Sequence, residues 1–390
     1  MKSRIETFMG YDRPDGRAGA RNHLAVIPSV ACANGVVGAI AREVPGAVPF
    51  LHGHGCGRAG CDLVNHFRTI SNLGGNPNIG AVIVVGLGCE VVKGDALAAA
   101  IAQTGKPVEL VDIQAGGGSQ KSARKGAALA RKMMEALAAQ RRVEVGPERL
   151  VVGLECGGSD AFSGVTANPA VGLVSDRVVE AGGTVIMTEN TEMIGTSHIL
   201  ERRARTPEVA ERINAMIREA EKRTRDVLGP LASMVIAPGN MDGGVSSIQE
   251  KSLGCITKGG ASTIAGVVEY AEVPADRGLV LMDAPGYDVE SMAGLAAAGS
   301  QVMLFTTGRG NPIGFPGVPV IKIASTGRLY SLMEDDMDFS AGVVLEGGSI
   351  EEAADGLVAL LARVLSGERT KAEKNGQDGI VCLYVSGPSF

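Results

Sequence analysis

The chain has 390 residues, of which 45% are apolar, and its 37 basic and 43 acidic residues give a net charge of −6. This length and apolar share are sufficient for two domains with hydrophobic cores. The acidic balance and the absence of tryptophan argue against a nucleic-acid-binding surface. The lack of any apolar run of about 18 residues argues against a membrane span.

The N-terminal segment lacks the apolar core of a signal peptide, so we expect a cytoplasmic protein. Its seven cysteines are then expected to be thiols or ligands rather than disulfides. The 55 glycines cluster at the ends of apolar runs, where glycine permits positive φ and close approach of the backbone to a ligand.

Strand-like apolar runs alternate with helical patterns in the first part of the chain. The predicted strands are 24–30, 46–51, 81–88 and 107–114. The predicted helices are 33–44, 96–105 and 122–142. This alternation predicts an α/β fold with a mostly parallel sheet.

The same pattern restarts after a polar joint at 141–149, so we predict two α/β domains, at 1–143 and 144–390. The strands predicted in the second part are 150–156, 182–189, 279–285, 301–308, 318–325 and 341–347. Its helices are predicted at 198–227 and 349–367, the latter with a capping box from Ser349 to Glu352. In such sheets the active site lies in the loops at the carboxyl ends of the strands.

Three cysteines follow predicted strands in glycine-rich loops: Cys56 in HGHGCG, Cys89 in VGLGCE and Cys156 in GLECGG. Because strand-end loops converge on one crevice, these thiolates could share a site. Three soft ligands would suit iron, zinc or an iron–sulfur cluster and leave one position open for substrate. The alternative is that each is a packed, unreactive thiol.

The HGHGCG loop also contains His52 and His54, and Cys61 follows shortly after. The spacing is irregular and no second cysteine pair follows, which argues against a structural zinc finger. A ligand or catalytic role for Cys56 or one of the histidines remains open beside a simple tight loop.

Polar residues follow two further strands. Ser159 and Asp160 come after the strand at 150–156 and before a helix start, where backbone N–H groups bind anions, although simple N-capping is the alternative. Glu189 and Glu192 follow the strand at 182–189 and could bind a metal or act as a base, or lie in a solvated loop.

Basic residues lie in two glycine-containing segments. Lys251 and Lys258 in KSLGCITKGGAS are candidates for an anion cradle, and Arg309 in TTGRGNPIG could hold a substrate carboxylate. Surface turns are the alternative for both. The sequence has no GxxxxGK[ST] phosphate loop and no GxSxG nucleophile elbow.

Taken in order, several unusual motifs resemble the altronate/galactarate dehydratase family. They are GYDRPDGRAGARNH, HGHGCG, VGLGCE, GLECGGSDAFSG, GGTVIMTENTEMIG, KSLGCITKGGAS, FTTGRGNPIGFPG and MDFSAGVVLEGG. The resemblance implies an iron-dependent lyase that removes water from an α,β-dihydroxy acid such as altronate or galactarate to give a 2-keto-3-deoxy acid. The same family includes the large subunit of (R)-sulfolactate sulfo-lyase, which eliminates sulfite.

Full-length members of that family begin with a small β-rich domain, whereas here the GYDRPDGR segment starts at residue 10. The small domain is then either a separate polypeptide or missing, and the resemblance to two-subunit forms of the family implies a separate small subunit and a hetero-oligomer. Cys61 is a departure from the family pattern and leaves the ligand set of its loop open.

We expect iron, either as a cluster with one open iron or as mononuclear Fe²⁺. The expected metal ligands are Cys56, Cys89 and Cys156, with His52, His54 or Glu189 as replacements in the mononuclear version. The base candidates are His54, Glu192 and Lys258. The expected substrate-binding residues are Ser159, Asp160, Lys258 and Arg309. A hypothesis of another class is a noncatalytic scaffold or binding subunit.

Overall fold

A computed structural model describes residues 3–234, 236–379 and 381–388 of the chain. The strands in these ranges are β1 (Phe8–Asp12), β2 (Ala18–Gly19), β3 (His23–Pro28), β4 (Ala47–Pro49), β5 (Ile79–Gly86), β6 (Val108–Asp112), β7 (Val143–Val145), β8 (Val151–Cys156), β9 (Thr184–Met187), β10 (Ile264–Val268), β11 (Gly278–Met282), β12 (Val302–Thr307), β13 (Val320–Ala324) and β14 (Phe339–Ser340).

The α-helices in the same ranges are α1 (Asn34–Glu43), α2 (Gly60–Gly75), α3 (Gly94–Ala102), α4 (Ser119–Ala138), α5 (Ala167–Glu180), α6 (Ser197–Leu200), α7 (Pro207–Leu228), α8 (Pro238–Asp242), α9 (Ile248–Cys255), α10 (Asp288–Ala297), α11 (Gly327–Leu332), α12 (Ile350–Leu365) and α13 (Lys371–Asn375). None of these helices is both long enough and apolar enough to cross a bilayer.

Two parallel sheets form the frame of the molecule, which confirms the predicted α/β class. One has the strand order β4-β3-β5-β6, and the other has the order β10-β11-β9-β8-β12-β13-β14. Every neighbouring pair in both sheets is parallel. A third, small sheet is antiparallel, with the order β2-β1-β7.

One hydrophobic core joins the two parallel sheets. Val84 of the four-stranded sheet and Phe305 of the seven-stranded sheet belong to the same buried cluster. Ile70 of α2 and Leu295 of α10 lie between them in that cluster, and these two helices are in contact. Burial on both faces explains why the strands of these sheets are nearly continuous apolar runs. The domain boundary at residue 143 stays a prediction.

The predicted strand at 341–347 is wrong. Residues Gly342–Glu346 form a 3₁₀ helix, and the neighbouring strand β14 has only two residues. Val343 and Leu345 are 37% and 46% exposed, so this apolar run does not lie within a sheet. A short apolar run cannot by periodicity alone be distinguished from a helical segment. The capping box from Ser349 to Glu352 at the start of α12 is confirmed.

The arginines of the N-terminal motif are structural. Arg13 donates hydrogen bonds to the carbonyl oxygens of Pro77 and Arg21. Arg21 forms a largely buried ion pair with Glu373 at 2.8 Å, and it also donates to carbonyl oxygens near the end of α12. The motif therefore fastens the start of the chain to its C-terminal part.

Helix α5 packs closely against a 3₁₀ helix, Ile256–Gly259, that carries Lys258. A side chain on Gly172 would place its Cβ 2.2 Å from the Thr257 carbonyl oxygen. We expect Gly172→Ala to lower the free energy of unfolding by about 1–3 kcal/mol through overpacking. Urea denaturation measures this change.

The matched control is Gly35→Ala on the exposed side of α1, where an added Cβ meets nothing within 4 Å. We expect it to be neutral or to stabilise by about 0.5–1 kcal/mol. Equal effects of the two substitutions would contradict the close packing of α5 on the 3₁₀ helix.

Candidate active site

Charged and thiol side chains meet at the carboxyl end of the central strands β8 and β9. Glu155 and Cys156 close β8, and Glu189 follows β9. We call this group the buried polar cluster; its members are Glu155, Cys156, Glu189, Glu192, Lys251, Cys255, Lys258 and Asp288. Placement at the carboxyl ends of parallel strands is the usual position of a ligand site in such a sheet.

Helical spacing brings three of these residues to one face. Lys251, Cys255 and Lys258 are separated by four and then three residues along α9 and the following 3₁₀ helix. Ser247 is the N-cap residue of α9, and its hydroxyl accepts a hydrogen bond from the Glu250 N–H at 3.2 Å. This cap fixes where α9 starts.

Glu189 has an unusual backbone conformation. It is fully buried, and its φ of 69° and ψ of 60° lie in the left-handed region, which non-glycine residues rarely adopt. The turn leads directly into a 3₁₀ helix, Asn190–Met193, and brings Glu192 to the same site. Residues held in this way cluster at functional sites.

Two buried ion pairs hold the cluster together. Lys258 contacts Glu189, and Lys251 contacts Glu192. Burial alone would lower the pKa of Lys258, but the acidic side chains around it, Cys255 and Glu189 first among them, hold it well above its usual value. Burial and the charge of Glu192 raise the pKa of Glu189 well above its usual range. Both raised pKa values favour the protonated side chain, because the site holds more acidic groups than cations.

The two thiols of the cluster lie beside the Glu192 carboxylate. Ligand atoms of Cys156, Glu192 and Cys255 all lie within 4.8 Å of one another. A hydrogen bond from Cys255 lowers the pKa of Cys156 to about 6, against the effect of burial. Burial raises the pKa of Cys255, which has two acceptors for its proton: the Cys156 sulfur and the Glu192 carboxylate, 2.6 Å away. Near neutral pH, Cys156 is therefore the thiolate of the pair.

Three carboxyl groups form a second set of potential ligands. Oxygens of Glu155, Glu189 and Asp288 lie within 4.8 Å of one another. The Ser291 hydroxyl donates to Glu155 Oε2 at 2.6 Å, and the Asn311 amide donates to Asp288 Oδ2 at 2.9 Å. Burial and the charge of Glu192 raise the pKa of Asp288 to about 6. Burial and the charge of Glu189 also raise the pKa of Glu155.

Several residues predicted from sequence come together here: Cys156, Glu189, Glu192 and Lys258. Ser159 adjoins them, with its hydroxyl 3.4 Å from the Cys156 sulfur. The backbone N–H of Ser159 donates to Asn240 Oδ1 at 2.7 Å. The strand-end loops of β8 and β9 thus meet as the sequence pattern indicated, although the roles of these residues stay predictions.

Asp160 lies in the loop that follows β8, and the backbone of Arg309 contacts the same loop. The Asp160 carboxylate accepts hydrogen bonds from the Ser163 N–H at 2.8 Å and from the Ser325 hydroxyl at 2.9 Å. These contacts match the alternative in which Asp160 organises its own loop. Arg309 is exposed, and its backbone N–H donates to the Gly158 carbonyl oxygen at 3.0 Å.

Cys56 and Cys89 belong to the other parallel sheet. They are exposed, in the loops that follow β4 and β5 of the four-stranded sheet. Cys89 accepts a hydrogen bond from the Gln114 amide at 3.5 Å. In the ranges given above, the close ligand group that contains Cys156 includes neither of them. Iron shared by Cys56, Cys89 and Cys156 stays a prediction.

The two predicted histidines lie near the same loop as Cys56. His52 is buried; its Nε2 lies 2.8 Å from the Pro28 carbonyl oxygen, and its Nδ1 accepts from the His54 N–H at 3.2 Å. Both ring nitrogens of His52 are thus engaged within the protein. The ring of His54 lies 4.7 Å from the ring of His66, centroid to centroid.

Sequence reasoning did not select Cys255 or Asp288. Cys255 could have been found from its helical spacing to Lys251 and Lys258. Asp288 carries no such signal, because it lies six residues beyond the end of β11 at the first position of α10.

Comparison with known proteins gives matches over nearly the whole chain. The family model for the D-galactarate dehydratase/altronate hydrolase second domain matches residues 10–138. The family model for the D-galactarate/altronate dehydratase C-terminal domain matches residues 147–386.

Individual relatives carry two kinds of name. Altronate dehydratase of Bacillus subtilis is 36% identical over 95% of this chain and 76% of its own length. Galactarate dehydratase (L-threo-forming) of Escherichia coli is 37% identical over 93% of this chain and 73% of its own length. The (2R)-sulfolactate sulfo-lyase subunit beta of Chromohalobacter salexigens is 35% identical over 99% of this chain and its entire length.

The pair of Lys258 and Glu189 can be tested by a double-mutant cycle. Breaking a buried ion pair from one side costs about 3–5 kcal/mol, whereas removing both charges costs much less. We therefore expect Lys258→Met to destabilise strongly and a further Glu189→Gln substitution to restore part of the loss, as measured by urea denaturation.

The exposed pair of Arg131 and Glu43 is the matched control. Removing Arg131 should change the free energy of unfolding by at most about 1 kcal/mol. Strictly additive effects of Lys258→Met and Glu189→Gln would show that the two side chains do not stabilise each other.

Proposed function

Since the chain belongs to the D-galactarate/altronate dehydratase family, we propose that it is a sugar-acid dehydratase whose active site is the buried polar cluster. The proposed reaction is elimination of water from an α,β-dihydroxy acid such as altronate or galactarate. The supporting observation is that two buried lysine ammonium groups, a carboxylate and a thiolate converge at the carboxyl ends of β8 and β9.

The reaction requires three kinds of help. A base must take the α-proton, a positive charge must stabilise the enediolate that forms, and the β-hydroxyl must leave with a proton as water. The electron pair of the α C–H bond becomes the C=C bond while the β C–O bond breaks. The enol product then tautomerises to the 2-keto-3-deoxy acid.

Lys258 is better suited to stabilise charge than to act as the base. The raised pKa keeps its ammonium protonated near neutral pH. A fixed cation in a buried site stabilises a developing enediolate far more strongly than one in water. We assign it to the substrate carboxylate, with Lys251 beside it, and we place Arg309 at the exposed edge of the site.

Glu192 is the proposed base. Of the predicted bases, Glu192 and Lys258 lie within the cluster, and Lys258 is a cation. The Lys251 ammonium contacts the Glu192 carboxylate. His54 lies instead in the loop that follows β4. The proton that Glu192 takes from the α-carbon then passes to the leaving β-hydroxyl, which departs as water, either directly or by way of the neighbouring Cys156 thiolate, whose pKa is about 6.

The iron that the family resemblance implies was expected on cysteines, and the donor groups of the cluster do not suit that arrangement. A cluster normally needs at least three thiolates, but the close ligand groups in the described ranges contain at most two cysteines. Both Glu192 oxygens are already occupied, one by Lys251 and one by Cys255. We therefore derive no step through a cysteine-bound iron.

A sulfo-lyase is the second candidate. The observation in its favour is that the chain matches the entire length of the (2R)-sulfolactate sulfo-lyase subunit beta. The name of that relative also supports the proposal that this chain works with a separate small subunit. Sulfite would then be the leaving group in place of water, with the same base and the same cations.

The assay uses protein purified anaerobically with Fe²⁺, offered altronate, galactarate and sulfolactate separately. We expect a 2-keto-3-deoxy acid from a dihydroxy acid, detected by mass spectrometry. We expect Glu192→Gln to lower kcat by about 10²–10⁴-fold, because it removes the base. Iron and acid-labile sulfide are counted in the same sample, and we expect no sulfide.

Glu290→Gln is the matched control, since Glu290 is half-buried but belongs to neither ligand group. Sulfite and pyruvate from sulfolactate would select the sulfo-lyase. Binding of an acid without turnover, with or without a small subunit, would favour a binding protein. Full activity in Glu192→Gln would remove Glu192 from the mechanism.

A further inference from the structure

Three carboxyl groups of the buried polar cluster lie close together, and the cluster contains too few ammonium groups to pair with all of them. Ligand oxygens of Glu155, Glu189 and Asp288 are all within 4.8 Å of one another. Glu155 and Glu189 are fully buried, and Asp288 is half-buried. We call these three residues the carboxylate group.

Two oxygens of this group have no hydrogen-bond partner. Glu155 Oε1 and Glu189 Oε1 are buried, and no donor in the described part of the chain reaches either of them. The other oxygen of each side chain is engaged, by the Ser291 hydroxyl and by the Lys258 ammonium respectively. A buried carboxylate oxygen without a partner is costly and uncommon in a folded protein.

Charge points in the same direction. The two ammonium groups of the cluster are already paired, Lys258 with Glu189 and Lys251 with Glu192. Glu155 and Asp288 are left with neutral donors. Two uncompensated carboxylates equal the charge of one divalent cation.

We propose that Glu155, Glu189 and Asp288 form a binding site for a hard divalent cation, such as Mg²⁺, Mn²⁺ or Fe²⁺, that uses protein oxygen ligands alone. Hard cations prefer carboxylate oxygens, and three protein ligands leave positions open for water or for a substrate hydroxyl. The cysteines are not required for this site. The inference holds whichever acid the enzyme uses and does not depend on the proposed base.

The contrast with the thiol group supports this assignment. The oxygens of Glu192 and the sulfur of Cys156 already accept hydrogen bonds or contact an ammonium group. A cation there would have to displace the proton that Cys255 donates. The carboxylate group instead has free oxygens and excess negative charge.

The test is titration of the metal-free protein with Mn²⁺ near neutral pH, followed by electron paramagnetic resonance of the free ion. We expect one tightly bound Mn²⁺ per chain, displaced by Mg²⁺. The double variant Glu155→Gln/Asp288→Asn should weaken Mn²⁺ binding by about tenfold or more. The double variant Cys156→Ser/Cys255→Ser should bind Mn²⁺ like the unmodified protein.

Asp283→Asn is the matched control. Like Asp288, Asp283 follows strand β11, but it lies outside the carboxylate group. If the double amide variant does not fold, the single variant Asp288→Asn replaces it, because Asp288 is only half-buried. X-ray absorption of the Mn²⁺-loaded, unmodified protein needs no variant: we expect only oxygen neighbours.

No Mn²⁺ binding, sulfur neighbours, or undiminished binding in the carboxylate variants would each overturn the proposal. These readouts do not involve turnover. A protein that binds Mn²⁺ as described but dehydrates no acid would therefore leave the cation site in place and overturn only the proposed reaction.

Discussion

An excess of buried negative charge at the carboxyl ends of β8 and β9 is the constraint on which the site depends. The ammonium of Lys258 partly offsets it through its contact with Glu189. Neither side chain could be buried without the other, because an unpaired charge in the interior is far more costly than a paired one. Burial, together with this excess of negative charge, raises the pKa of Glu155 and of Asp288.

The surrounding fold is organised to hold this pair. Gly172 of α5 lets the 3₁₀ helix that carries Lys258 approach closely, and the left-handed backbone of Glu189 turns the chain back after β9. The spacing of α9 then adds Lys251 and Cys255 to the same face. Packing and local strain far from the surface thus determine which protons the site keeps, and so which groups can act as acid or base.

Much of the framework could be predicted from the sequence. Apolar runs that end in glycine-rich loops identified most strands, and the family resemblance is confirmed by matches over both parts of the chain. The strand-end rule selected Cys156, Glu189 and Glu192, which do lie together. It also grouped Cys56 and Cys89 with them, and that grouping stays a prediction, because sequence periodicity does not show which strand-end loops of two sheets meet.

Other residues carry too weak a signal in sequence. Asp288 joins the site only through tertiary packing of α10, and the run at 341–347 has the composition of a strand but forms a 3₁₀ helix. The partners of Asp160 show why a polar residue in a strand-end loop need not face a ligand, since its carboxylate is used by its own turn.

The central claim is that the chemistry takes place in the buried polar cluster and not in the exposed cysteine loops. A crystal structure of the Glu192→Gln variant with a bound dihydroxy acid tests it most directly. The account predicts density for the acid with its carboxylate against Lys258 or Lys251. Density for the acid in the loop of His54 and Cys56, with the cluster empty of it, would contradict the account.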